Sequence, residues 1–210
     1  MNLEDANRLL EPGYHDMESG WMRLPDGMLH VAGRTAMPGC TSAMIDWWFG
    51  HVRTTEQYIP WHPEDHVWCD WEGPAGEYVG GTHLVHEYIG GQMNKLRIHF
   101  VPPETYLDTD RFEEAGVGTA VCARTGPLEG GLWVGHLIHL VRNTPYGCEM
   151  RSRFWLGDFE PAIADTPEAI RKIIPDAVGW GLQKHCNEEM GYLAGFLPAL
   201  YQEHNSHGAS

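Results

Sequence analysis

The chain reads as an α+β protein in which a curved antiparallel sheet wraps a long C-terminal helix. Three observations predict this class. Between residues 66 and 159, short stretches of alternating, β-branched and aromatic residues are punctuated by Gly and Pro, the pattern of an antiparallel meander. A helical block precedes the meander, and a long segment of 3.6-residue periodicity follows it. Strands and helices are therefore segregated along the chain instead of alternating.

In order, residues 1–25 have little periodicity and read as an N-terminal segment ahead of one domain spanning 26–205. A first strand is expected at GMLHVAGRTA (27–36). A helical block runs from Thr41 to about Tyr58, with Thr41 or Ser42 as its N-cap. The strand candidates are then HVWCDWE (66–72), GTHLVHEYIGG (81–91), NKLRIHFVPP (94–103), GTAVCARTGP (118–127), LWVGHLIHLVRN (132–143) and CEMRSRFWLGDF (148–159). Helix resumes at Thr166, breaks near Pro175 and continues to about His204.

Composition narrows the function. The 210 residues are enough for one domain with a substantial core or an internal cavity. With 14 basic and 29 acidic residues the net charge is -15, which disfavours nucleic acid or an anionic membrane as partner. No 18-residue apolar run and no apolar signal core occur, so a cytoplasmic protein is expected. The five cysteines are scattered without a CxxC pair, arguing for reduced thiols and against a disulfide framework or zinc ribbon. A homo-oligomer is compatible with these features.

The terminal helix raises a chemical question. Positions 178, 182, 185, 189, 192/193, 196 and 200 step by threes and fours, and they hold Val, Leu, His, Glu, Tyr/Leu, Phe and Ala. Four-residue spacing puts His185 and Glu189 on the same face as Leu182 and Phe196. An ionised Glu on an apolar stripe is costly unless it is paired, hydrogen-bonded or metal-bound. A His–Glu hydrogen bond inside a core is the plain explanation. The sheet offers another: alternation puts His83, Val85 and Glu87 on one face, and His66, Trp68 and Asp70 on one face of the preceding strand. A site taking His66 and Glu87 from strands, and His185 and Glu189 from the helix, presents two nitrogens and two carboxylates. That donor set suits Zn²⁺ first, then Fe²⁺ or Mn²⁺. His62, His83 and His86 compete as ligands. No GxSxG, HExxH, phosphate loop or Rossmann fingerprint is present.

The blocks IDWWFGH (45–51), YIPWHPEDH (58–66), HEYIGG (86–91), RIHFVPPETYL (97–107), HLVRNTPYGCEMRSRFWLG (139–157) and HCNEEMGYLAGFLPALYQEH (185–204) carry a family resemblance. Together they resemble the 2,4-diacetylphloroglucinol hydrolase family, which includes phloretin hydrolase. The resemblance implies a Bet v 1-like helix-grip fold and a zinc site of two His and two Glu. It also implies hydrolysis of the carbon–carbon bond between an acyl group and a polyhydroxylated ring, so the expected partner is a small aromatic ketone. It assigns the metal ligands to His66, Glu87, His185 and Glu189, and an active-site tyrosine to Tyr58. Tyr146 is implied as a second substrate-facing tyrosine. The substrate-binding Asn three residues after the first histidine ligand is Cys69 here, which lacks an amide's donors and acceptor.

Such a reaction is a retro-Claisen hydrolysis, and the acid that protonates the ring carbon is expected at His139, with His136 on the opposite face as the fallback. Tyr58 and Tyr146 are expected to bind phenolic or acyl oxygens. Trp47, Trp48 and Trp61 suit packing at least as well as ring stacking and are left out of the site. Two other classes use the same features: a non-catalytic carrier of aromatic ligands, and a non-haem iron oxygenase with two His and one carboxylate.

Overall fold

The computed structural model describes residues 1–207. Eight strands form one antiparallel sheet: β1 (Gly20–Arg23), β2 (Leu29–Pro38), β3 (His66–Glu72), β4 (Thr82–Ile89), β5 (Gln92–Val101), β6 (Val117–Pro127), β7 (Trp133–Thr144) and β8 (Gly147–Glu160). Their spatial order is β1-β2-β8-β7-β6-β5-β4-β3. The chain thus leaves β2, crosses to the far edge at β3, and meanders back until β8 pairs with β2.

The expected helical block is split in two, α1 (Ser42–His51) and α2 (Thr55–Tyr58). The break has a local cause. Thr41 caps α1 by accepting the Met44 amide, but Thr54 starts a new helix with a full capping box to Gln57. Near the C-terminus α3 (Pro167–Ile173) begins at a Thr166 cap, and the chain breaks before α4 (Ala177–His207), as Pro175 demands.

Alternation gives the sheet two buried faces. The concave face grips α4, packing Val31, Val85, Phe100, Val121, Met150 and Phe154 with Leu182, Met190 and Leu193. This is the expected helix-grip arrangement, a curved antiparallel sheet around a long C-terminal helix. On the convex face, residues 1–25 fold against the same sheet: a 3₁₀ helix, Leu3–Leu10, buries Ala6, Leu9 and Leu10 against Ile138, Leu140 and Trp155. Arg151 and Arg153 are buried beneath this segment, and both bond Glu18.

One close backbone approach sets the distance between sheet and helix. Gly90 and Gly91 form the β4–β5 turn with positive φ at both positions, the two-residue hairpin geometry that favours Gly-Gly. A Cβ on Gly181 of α4 would lie 2.8 Å from the Gly90 Cα, so paired glycines let the turn touch the helix backbone. Among the described residues no helix is long and apolar enough to cross a membrane, and all five cysteines are buried and unpaired.

Candidate metal centre

His66 opens β3 and Glu87 lies directly opposite it on β4, so both side chains leave the sheet on the concave face. Strict alternation from His66 would have carried Trp68 and Asp70 to that face. A β-bulge between His66 and Trp68 corrects this expectation. The extra residue reverses the phase, so Cys69 is buried opposite Val85, while Trp68 pairs with His86 and Asp70 is exposed.

His185 and Glu189, one turn apart on α4, meet the strand pair from above. His66 Nε2 lies 3.9 Å from Glu87 Oε2 and 3.7 Å from Glu189 Oε2. His185 Nε2 lies 3.9 Å from each of the same two oxygens. All four residues are buried.

Each imidazole is oriented through its other nitrogen. His66 Nδ1 bonds the Tyr58 carbonyl at 2.9 Å, and His185 Nδ1 bonds Asp65 Oδ2 at 3.0 Å. Both partners are acceptors, so each Nδ1 carries the hydrogen and each Nε2 keeps its lone pair for the centre. His66 Nε2 is buried without a hydrogen-bond partner. A tetrahedral first-row ion with bonds of about 2.05 Å needs donor separations of about 3.3 Å. The four His–Glu separations are slightly wider; the ligand atoms of His66, His185 and Glu189 all lie within 4.8 Å of one another, and Glu87 Oε2 adjoins both histidines. The residues fit such an ion.

The electrostatics follow from burial and mutual charge. Burial alone would raise the Glu189 carboxyl, but the nearby His66 and His185 rings bring it below its ordinary value. Burial alone would lower His185, yet Glu87 and Glu189 bring it above. Tyr58 stacks on His66 with ring centroids 3.7 Å apart, and its hydroxyl donates to Glu87 Oε2. Burial, with Glu87 adding to it, raises this phenol well above its ordinary value, so Tyr58 stays protonated.

Beside the cluster opens a cavity of about 470 Å³. Tyr58, Glu87, His139, His185 and Glu189 line one part of it, and Leu96, Ile98, Leu137, Phe154, Leu156 and Leu182 are among its apolar walls. His139 bonds Ser152 Oγ through Nδ1 at 2.7 Å, and burial pushes it down to about 4. Trp61, left out of the expected site, also lines the cavity.

Other expectations separate here. Tyr146 lies in the β7–β8 turn, 48% exposed and not among the residues lining the cavity. Cys69 faces inward but does not line the cavity. Its thiol lies 3.7 Å from the Asp70 carbonyl. His136 points to the convex face, bonded to Tyr106 and Asp158, so the fallback acid is removed. His83 is committed to the Val52 carbonyl, and His86 lies beside Trp68 away from the cluster.

The chain matches the DAPG hydrolase PhiG domain over residues 1–202. The chain belongs to the DAPG hydrolase family. It is 32% identical to a 2,4-diacetylphloroglucinol hydrolase of Pseudomonas sp, an alignment covering 96% of this chain and 76% of that protein. It is 31% identical to a phloretin hydrolase of Eubacterium ramulus, over 85% of this chain and 69% of the relative. Among solved structures, Ms6760 from Mycobacterium smegmatis is similar with a TM-score of 0.49 and 11% identity, covering 87% of this chain and 98% of the other.

Within this DAPG hydrolase family chain, sequence reasoning missed Asp65, whose bond to His185 spans 120 positions, and Ser152, which holds His139. No local spacing rule marks either contact. The nearest signal is the HPEDH run, where an acid immediately precedes a candidate ligand.

Proposed function

We propose that this protein hydrolyses the carbon–carbon bond joining an acyl group to a polyhydroxylated aromatic ring, with a divalent metal held by His66, Glu87, His185 and Glu189. Zinc leads, ahead of iron and manganese, because two imidazoles and two carboxylates match its preferred ligands. One observation carries the reading: four buried donor atoms converge at the wall of an apolar cavity, with both histidine Nε2 lone pairs directed there by partners on Nδ1. The names of the two relatives support the substrate class. When bound, the ion supplies Lewis acidity toward the acyl carbonyl and acidifies a water.

The chemistry divides into steps with defined proton movements. A phenolic hydroxyl gives up its proton as the acylated ring carbon gains one, turning the aryl ketone into a β-dicarbonyl. Water adds to the acyl carbonyl, the bond from acyl to ring carbon breaks, and the electron pair passes into the ring as a phenolate. The products are a carboxylic acid and the deacylated phenol.

Tyr58 donates its own proton to Glu87, so its lone pairs face outward as acceptors for a substrate hydroxyl. His139 is neutral at neutral pH, which makes it a hydrogen-bonding group rather than a standing imidazolium. The apolar walls hold the ring and acyl arm and exclude water from all but the reacting centre.

The deciding experiment measures bound metal in protein purified without added metal, then product formation from a panel of acylphloroglucinols and arylpropanoyl analogues. About one transition metal per chain, and equimolar carboxylic acid and deacylated phenol, are expected. Full activity in metal-free protein would remove the metal from the proposal, and stoichiometric binding of intact ketone without turnover would make the protein a carrier.

A further inference from the structure

We propose that Asp65 is a positioning residue for His185, the centre of a chain His62–Asp65–His185 that fixes how α4 presents its ligand. The two histidine ligands are oriented differently. His66 is held by a neutral backbone carbonyl, whereas His185 is held by a carboxylate at 3.0 Å. A carboxylate on the far nitrogen fixes the tautomer and raises the basicity of the donor nitrogen.

The carboxylate is itself constrained. His62 is 1% exposed and its Nδ1 accepts the Asp65 amide at 3.2 Å, so its hydrogen resides on Nε2. That atom is buried without a hydrogen-bond partner and lies 3.4 Å from both Asp65 Oδ2 and Glu188 Oε2, so an unpaired N–H stands beside the oxygen that serves His185. The His62 ring also stacks on His185, with centroids 4.9 Å apart and planes 7° from parallel. Backbone bonds hold the segment: the Tyr88 amide donates to the Asp65 carbonyl at 2.9 Å, and the His66 amide to the His62 carbonyl at 2.9 Å. Residues 62–66 therefore carry one ligand, His66, and the partner of another, His185. They couple the strand half of the centre to its helix half.

The role of Asp65 rests on the metal reading above, and the test separates the two. Dissociation constants for Zn²⁺ and Co²⁺ are measured by chelator competition on wild type, Asp65→Ala and Asp65→Asn, with the absorption spectrum of the Co²⁺ form and the thermal midpoint of the metal-free protein. Asp65→Ala should weaken both metals by about 10- to 100-fold and alter the Co²⁺ spectrum, while leaving the metal-free midpoint close to wild type. Asp65→Asn keeps an acceptor oxygen without the charge and should recover part of the affinity. Wild-type affinity in either folded variant overturns the role of Asp65 alone. If Asp65→Ala does not fold, the isosteric Asp65→Asn decides: a weakened site supports the role, and an unchanged site overturns it. A wild-type chain that binds neither ion overturns the metal centre and this role together.

Discussion

His66 and Glu87 face one another across paired strands, and Tyr58 locks both: its ring stacks on His66 and its hydroxyl donates to Glu87. The phenol is therefore part of the polar cluster, on the side that faces the cavity.

Replacing Tyr58 with Phe keeps the stack and deletes one hydroxyl. We expect kcat/KM for an acylphloroglucinol to fall about 10-fold with metal content unchanged, the scale of losing one hydrogen bond to a substrate hydroxyl. A rise in KM alone would mean that the hydroxyl holds substrate and transition state equally. Unchanged kinetics would leave Tyr58 as a packing residue.

Gly181 permits the contact between α4 and the β4–β5 turn. Gly181→Ala adds a Cβ that would sit 2.8 Å from the Gly90 Cα, and since both neighbours are backbone, one element must move. Overpacking of this kind costs about 1–3 kcal/mol. Thermal unfolding should show a lower midpoint, and metal affinity should weaken because His185 lies one turn further along the same helix. Gly91→Ala, where no atom lies within 4 Å of the new Cβ but φ is positive, should lower the midpoint through backbone strain while sparing the metal.

Glu18 neutralises two arginines under the N-terminal segment. Partial burial would raise its carboxyl, but bonds from Arg151, the His15 amide and Arg153 hold it down at about 2. Its stabilising effect is therefore complete above the ordinary carboxylate value of 4.5 and is lost as pH falls toward 2. Glu18→Gln should lower stability at neutral pH by about 2 kcal/mol, discounted for solvent screening from what a fully buried pair would lose. Denaturant titration at pH 7 and pH 3 should give a smaller difference at the lower pH; equal differences would mean that shape, not charge, is what Glu18 contributes.

Buried histidines, His30 and His83 along with His139, shape the acid side of the stability profile. Burial pushes His30 down to about 3 and His83 down to about 4, so both are neutral in the folded chain while the unfolded chain takes up protons below 6.5. The unfolded state then binds more protons across that window, and stability falls with falling pH by up to about 1.4 kcal/mol per unit for each histidine. His83→Gln should flatten the slope between pH 6.5 and 4. An unchanged slope would transfer the effect to other groups.

The parts of the site that were legible in the sequence are local. His185 and Glu189 announce themselves because a helix repeats every 3.6 residues and the surrounding stripe is apolar. Glu87 follows from unbroken alternation in β4. The bulge after His66 was not legible, since one inserted residue leaves no mark in the sequence yet exchanges the faces of Cys69 and Trp68. Asp65 and Ser152 were hidden for a different reason: each acts on a side chain that only the folded chain brings near. Residues 1–25 looked patternless because a 3₁₀ helix has neither of the usual periods and its apolar partners, Ile138, Leu140 and Trp155, are supplied by strands more than a hundred positions later.

The pairing of β2 with β8 has a consequence for biosynthesis. During translation β2 emerges more than a hundred residues before the strand that must cover its edge. The hairpin bearing His66 and Glu87 is likewise finished well before α4 delivers the other two donors. Half of the proposed site therefore exists on the nascent chain with nothing to close it, and β2 waits with an open edge of the kind that recruits wrong partners. Capture of the proposed ion would wait for α4, because His185 follows Glu87 by 98 positions.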